Sequence, residues 1–156
     1  MPLYTNLLAV EDEEGIAVGV INVPALGETV HAGRGLGCFC NGAPVSVNDH
    51  ATIEGAYVST SGFTPWDDDA LLRVKRAGCL LRTWGDGYGY VLVATGRIEA
   101  MFDPVAELYD LAPMQVILHE AGGRFTDLAG GTGPGGGSGV ATNGRVHDDV
   151  LALLRG

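Results

Sequence analysis

The sequence predicts an α/β (α+β) layered protein built around a mixed, largely antiparallel sheet. The first half is a run of aliphatic and β-branched segments separated by short turn signals, the pattern of a meander. The second half alternates such segments with helix-like ones, which adds helices against a sheet. Composition sets the scale. With 156 residues, 46% hydrophobic and 18% charged, the chain can bury a real core and is too apolar for a disordered polymer. No repeat or linker interrupts it, so residues 1–156 read as a single domain.

"LYTNLLAV" and "GIAVGVINV" are the first two strands, joined by the acidic turn "EDEEG". "ETVHAGRG" and "CFCNGAPVSV" follow, with a turn at Gly35 and Gly37 and a hairpin at Asn41-Gly42, a pair suited to a turn with two positive φ values. Pro44 cannot donate to a ladder, which places its strand at an edge. "GAYVSTSGF" is a further strand. "WDDDALLRVKRAG" opens with acids and closes with bases, as the helix dipole prefers. "CLLRTW" is a short strand, "GYGYVLVATG" a buried helix stopped by Gly96, and "RIEAMFD" a strand by its alternation. A helix runs from Asp110 to about Ala121, with Met114, Ile117, Leu118 and Ala121 on its core face. "GRFTDLAG" is a strand, "GGTGPGGGSG" a flexible loop, and "VATN" with "VHDDVLALLR" a closing strand and helix divided at Asn143.

Charge and cysteine usage exclude several function classes. The net charge is −10, from 9 basic and 19 acidic side chains. Only Arg73, Lys75 and Arg76 cluster, and three charges on one short helix read as a solvated face, so no nucleic-acid partner is expected. Cys38, Cys40 and Cys79 match neither a zinc site nor a redox dithiol and read as reduced thiols. No Lys or Arg precedes Arg34, no apolar run has membrane-spanning length, and the expected location is the cytoplasm.

Six acidic residues could carry chemistry. Asp110 is either the N-cap of the helix that follows or a metal ligand. Asp67, Asp68 and Asp69 could hold a hard cation, although helix-dipole complementarity explains them without one. Asp86 caps a helix or lines a site, and Asp103, before Pro104, begins a turn or lines the same site. The histidines have no metal-site spacing. "STSG" lacks the hydrolase elbow pattern, and neither "GRGLG" nor "GGTGPGGG" is a phosphate fingerprint. No residue is assigned as catalytic.

Taken together, "LVATGRIEAMFDPVAELYDLAPMQVILHEAGGRFTDLAG" resembles the C-terminal signature of the inositol monophosphatase family, where W-D-x-A-A precedes a helix ending in E-A-G-G. The upstream strands look like the part of that family just after its first metal motif, and "GVATN" also matches. "RTWGDGYGY" is most similar to the branch containing histidinol-phosphate phosphatases. The resemblance implies a Mg²⁺-dependent phosphomonoesterase with α-β-α-β-α layers, a small phosphorylated substrate, no membrane or nucleic-acid partner, and a homo-oligomer, since the family's enzymes are often dimeric. It also implies Asp110 as a metal ligand, Asp103 as a contact to the substrate alcohol, and Gly85-Asp86 as a turn lining the substrate site. Two acids there would suit a cationic amino alcohol such as histidinol.

This chain departs from the pattern at Tyr109, where the family has Trp, and at Pro113, which replaces a small residue in what reads as the first helical turn. The family's D-P-x-D-G-T motif and its upstream Glu-Glu motif do not occur in it, so the expectation is an N-terminally truncated family domain. Two rival readings stay open. One is a non-catalytic fragment or pairing module completed by another chain. The other is a phosphatase for inositol or sugar phosphates.

Overall fold

A computed structural model describes residues 2–156. Strands β1 (Asn6–Asp12), β2 (Gly15–Val23), β3 (Glu28–Gly33), β4 (Gly37–Cys40) and β5 (Ala43–Pro44) form an antiparallel meander in that order. At the β4–β5 turn Asn41 and Gly42 both have positive φ, 51° and 82°, as the Asn-Gly pair predicts. Pro44 lies in the edge strand, where its missing donor costs no ladder bond.

The second sheet contains β6 (Tyr57–Ser59), β7 (Leu80–Arg82), β8 (Ala100–Asp103), β9 (Arg124–Thr126) and β10 (Gly139–Thr142), ordered β7-β6-β8-β10-β9. β6 runs parallel to β7 and β8, and β10 runs antiparallel to β8 and β9. Helices α2 (Asp86–Ala94) and α3 (Leu108–Glu120) lie between the sheets, where Val91, Met114, Ile117 and Leu118 join Ile21 and Val30 of the meander in one core. Helices α1 (Asp68–Arg76) and α4 (His147–Arg155) cover the far face, burying Val74, Val150 and Leu154 against Val58, Phe102 and Val140. The chain thus forms β-α-β-α layers. The outer face of the meander carries exposed Leu8, Val10 and Val18, and β1 is its free edge.

The contact between α3 and β2 depends on Gly19. A Cβ there would lie 2.6 Å from the Pro113 carbonyl oxygen and 2.9 Å from Val116. The missing side chain lets helix and strand backbones approach closely.

Several local expectations need correction. α3 begins at Leu108 with Glu107 as its N-cap residue, so Asp110 is the third helical residue and not the cap. Pro113 therefore sits in the helix interior, beyond the first turn, where it returns no hydrogen bond to the Tyr109 carbonyl. Asp67, in contrast, is the cap of α1: its side chain accepts from the Ala70 amide at 2.8 Å. Strand β6 spans only Tyr57–Ser59, and β8 starts at Ala100 because Arg97 and Ile98 turn off the end of α2.

The glycine-rich loop is ordered by a side chain upstream of it. Asp127 accepts from the Gly131 amide at 2.7 Å, and its own amide donates to the Gly131 carbonyl. The Gly137 carbonyl accepts from Ala106, tying the loop to the start of α3. A carboxylate satisfying backbone donors supplies the anchor that composition alone does not show.

Candidate active site

Asp86, Asp103 and Asp110 come from three different elements and line one cleft of about 400 Å³, together with Thr5, Ser61, Tyr90 and Tyr109. Gly85 is the N-cap residue of α2 and stands directly behind Asp86. A Cβ at position 85 would lie 2.4 Å from the Ser61 Cα, so only glycine lets the α2 turn close onto the Ser61 segment. Asp86 does not cap α2 with its side chain. It is the first residue of that helix, exposed, and held at φ 52°, a left-handed conformation uncommon for a residue with a Cβ. Its amide donates to Ser61 Oγ at 2.8 Å.

Asp103 ends β8 and is 7% exposed. Its Oδ1 accepts from the Ser61 hydroxyl at 2.6 Å and the Ser61 amide at 3.2 Å, and its Oδ2 accepts from the Tyr90 hydroxyl at 3.0 Å. Burial raises its carboxyl above the ordinary carboxylate range; the donors from Ser61 and Tyr90 oppose that shift, and nearby Asp86 adds to it. The buried Tyr90 phenol is pushed well up, first by burial and then by the charge of Asp103.

Asp110 is half-buried, and its Oδ2 accepts from the Glu107 amide at 3.2 Å, which leaves Oδ1 free. Among the described residues no group of three or more His, Cys, Asp or Glu side chains could hold a metal ion. Hard cations need six or more oxygen ligands, and Asp103 already spends three of its roughly four acceptor sites on Ser61 and Tyr90. The residues present therefore supply free oxygens only from Asp86 and Asp110 and do not complete a Mg²⁺ site.

The sequence-predicted positions Gly85, Asp86, Asp103 and Asp110 converge here, while Asp67 to Asp69 serve the start of α1 instead. Sequence reasoning missed Ser61 and Tyr90. No local signal marks them, because each becomes part of the site only through Asp103, 42 and 13 residues away.

The remaining acids and the histidines have structural roles or face solvent. Glu120 accepts from the Gly35 and Gly37 amides, both at 2.8 Å, and fastens the β3–β4 turn to α3. His119 is exposed at the end of α3. No helix among the described residues is long and apolar enough to cross a membrane.

The inositol monophosphatase family profile matches residues 1–155. Histidinol-phosphatases of Mycobacterium tuberculosis and Chlorobaculum parvum are each 37% identical to this chain, covering 99% of it and 63% and 61% of their own lengths. The IMPase of Thermotoga maritima superposes with a TM-score of 0.84 at 25% identity, over 99% of this chain and 61% of its own. An IMPase/NADP phosphatase solved with NADP and Ca²⁺ superposes at 0.86 with 22% identity, over 97% of this chain and 60% of its own; it shows the same fold, and a metal bound in a protein of that fold. The chain thus spans about six tenths of the length of the relatives it matches. By profile, sequence and fold, it belongs to the inositol monophosphatase family.

Proposed function

We propose that this chain is part of a Mg²⁺-dependent phosphomonoester hydrolase acting on histidinol phosphate or a similar small phosphate ester. The observation that carries the reading is the convergence of Asp86, Asp103 and Asp110 on one cleft in a chain 37% identical to two histidinol-phosphatases. In this reading Asp110 is one metal ligand, and the others come from polypeptide beyond these 156 residues. The metal would activate water and stabilise the leaving alkoxide when bound. Asp103 and the Gly85-Asp86 turn receive the alcohol half of the ester. Three acidic side chains and no cation line the cleft, and with Asp110 assigned to the metal the other two, Asp86 and Asp103, favour a cationic amino alcohol over a neutral polyol.

The test is Mg²⁺-dependent phosphate release from histidinol phosphate. It would be run on this chain alone and on this chain joined to the amino-terminal portion of the Mycobacterium tuberculosis relative. Release by the joined protein, lost on Asp110→Ala, is expected, with none from the 156 residues alone. A folded joined protein that releases no phosphate would sink the reading. Equal or reversed preference for inositol phosphate would move the substrate to polyols, in line with the 27% identical fructose-1,6-bisphosphatase/inositol-1-monophosphatase of Thermotoga maritima. The free edge of β1 beside exposed Leu8 and Val10 favours a second reading, a module that pairs with another chain. Light scattering showing a well-folded monomer would count against it.

A further inference from the structure

We propose that Tyr90 is a positioning residue of the cleft: with Ser61 it clamps the Asp103 carboxylate so that one acceptor site stays open for a substrate hydroxyl or ammonium. The inference rests on the reading of the cleft as a phosphate-ester site and specifies how its alcohol half is recognised. A carboxylate offers about four acceptor sites. Three are filled, two on Oδ1 by Ser61 and one on Oδ2 by Tyr90. No arginine, lysine or histidine forms an ion pair with Asp103 among the described residues. The fourth site therefore belongs to a carboxylate that is buried, lacks a cation and still borders the cleft.

An acceptor of this kind selects by chemistry. A hydroxyl or ammonium completes it, whereas a phosphate oxygen brings only lone pairs and negative charge and is repelled. Asp86 faces the same carboxylate and deepens the negative field. The ester therefore lies with its alcohol or amine end at Asp103 and its phosphate directed away from that carboxylate. The Tyr90 hydroxyl is specifically accommodated, because a Cβ at Gly139 would come within 2.6 Å of it. The ring itself packs beside Phe125, with centroids 6.5 Å apart, a role phenylalanine would serve equally.

Tyr90→Phe isolates the hydroxyl. Two readouts are followed by NMR on the 156-residue chain: the carboxyl titration of Asp103, and the shifts of the Ser61 and Asp86 amides as L-histidinol is added. Loss of a donor to a charged group predicts an Asp103 midpoint raised by about one pH unit and L-histidinol bound about tenfold more weakly. A packing-only role would move neither. Should Tyr90→Phe not fold, Ser61→Ala removes the opposing hydroxyl donor and carries the same expectation. An unmoved midpoint overturns the clamp. A raised midpoint in a protein whose wild-type amides show no saturable response to L-histidinol overturns the ligand assignment, and with it the amino-alcohol reading.

Discussion

His147 makes an acid-linked stability loss calculable from the structure. It is fully buried between two threonines, with Nε2 3.0 Å from the Thr126 hydroxyl and Nδ1 2.9 Å from that of Thr142. Thr126 donates its own proton to the Asp127 carbonyl at 2.8 Å, so its oxygen accepts from Nε2–H. Thr142 Oγ1 accepts from the Gly144 amide and donates to Nδ1. This network holds the neutral ring with its proton on Nε2. Burial lowers its pKa from 6.5 to about 4; Arg124 and Arg155 push the same way, and Asp148 opposes them. Because the folded pKa lies below the unfolded one, the native state resists protonation. Stability is then complete above about pH 6.5 and lost as pH falls toward 4. About 2.5 units correspond to about 3 kcal/mol. Urea unfolding followed by tryptophan fluorescence between pH 7.5 and 4 measures this loss for the wild type and for His147→Gln, which can still bond both threonines but cannot titrate. Subtracting the two curves cancels every other group. The wild type should lose about 3 kcal/mol more than the variant across the window, and parallel curves would refute the reasoning.

Gly85→Ala forces a Cβ onto the Ser61 backbone and should cost about 1–3 kcal/mol, measured by the urea midpoint, while disrupting the Asp86–Ser61–Asp103 chain. An unchanged midpoint would show that the turn can relax. Asp127→Ala removes the anchor of the glycine-rich loop; amide exchange across residues 130–137 should accelerate, at a stability cost of about 1 kcal/mol. Unchanged exchange would mean that the Ala106–Gly137 bond holds the loop alone. Asp110→Asn keeps an oxygen near the Glu107 amide but removes the charge. In the joined protein it should raise the Mg²⁺ concentration needed for activity at least tenfold, and an unchanged requirement would remove Asp110 from the metal site.

Most of the elements that were legible had a local cause. Asn41-Gly42 turned as its φ preference requires, Pro44 lay at an edge, and Asp67 capped the helix that its acids and bases announced. The helical period of Met114, Ile117, Leu118 and Ala121 identified a face that is entirely buried. The boundary of α3 was displaced because Glu107 serves as its N-cap, a role that cap preferences assign to Asp more readily than to Glu. The glycine-rich loop read as flexible because composition records its entropy but not the Asp127 carboxylate that offsets it.

By itself the sequence determined the layered class, the acidic and cation-poor surface, the family, and four acidic or glycine positions worth watching. Only the tertiary structure decided which of those positions meet, and it enlisted Ser61 and Tyr90 to hold Asp103. Caps, turns and faces follow from interactions over a few residues, which periodicity and residue type encode directly. A cleft between strand ends and helix starts joins residues tens of positions apart, and their hydrogen bonds exist only once both sheets have packed on the helices between them.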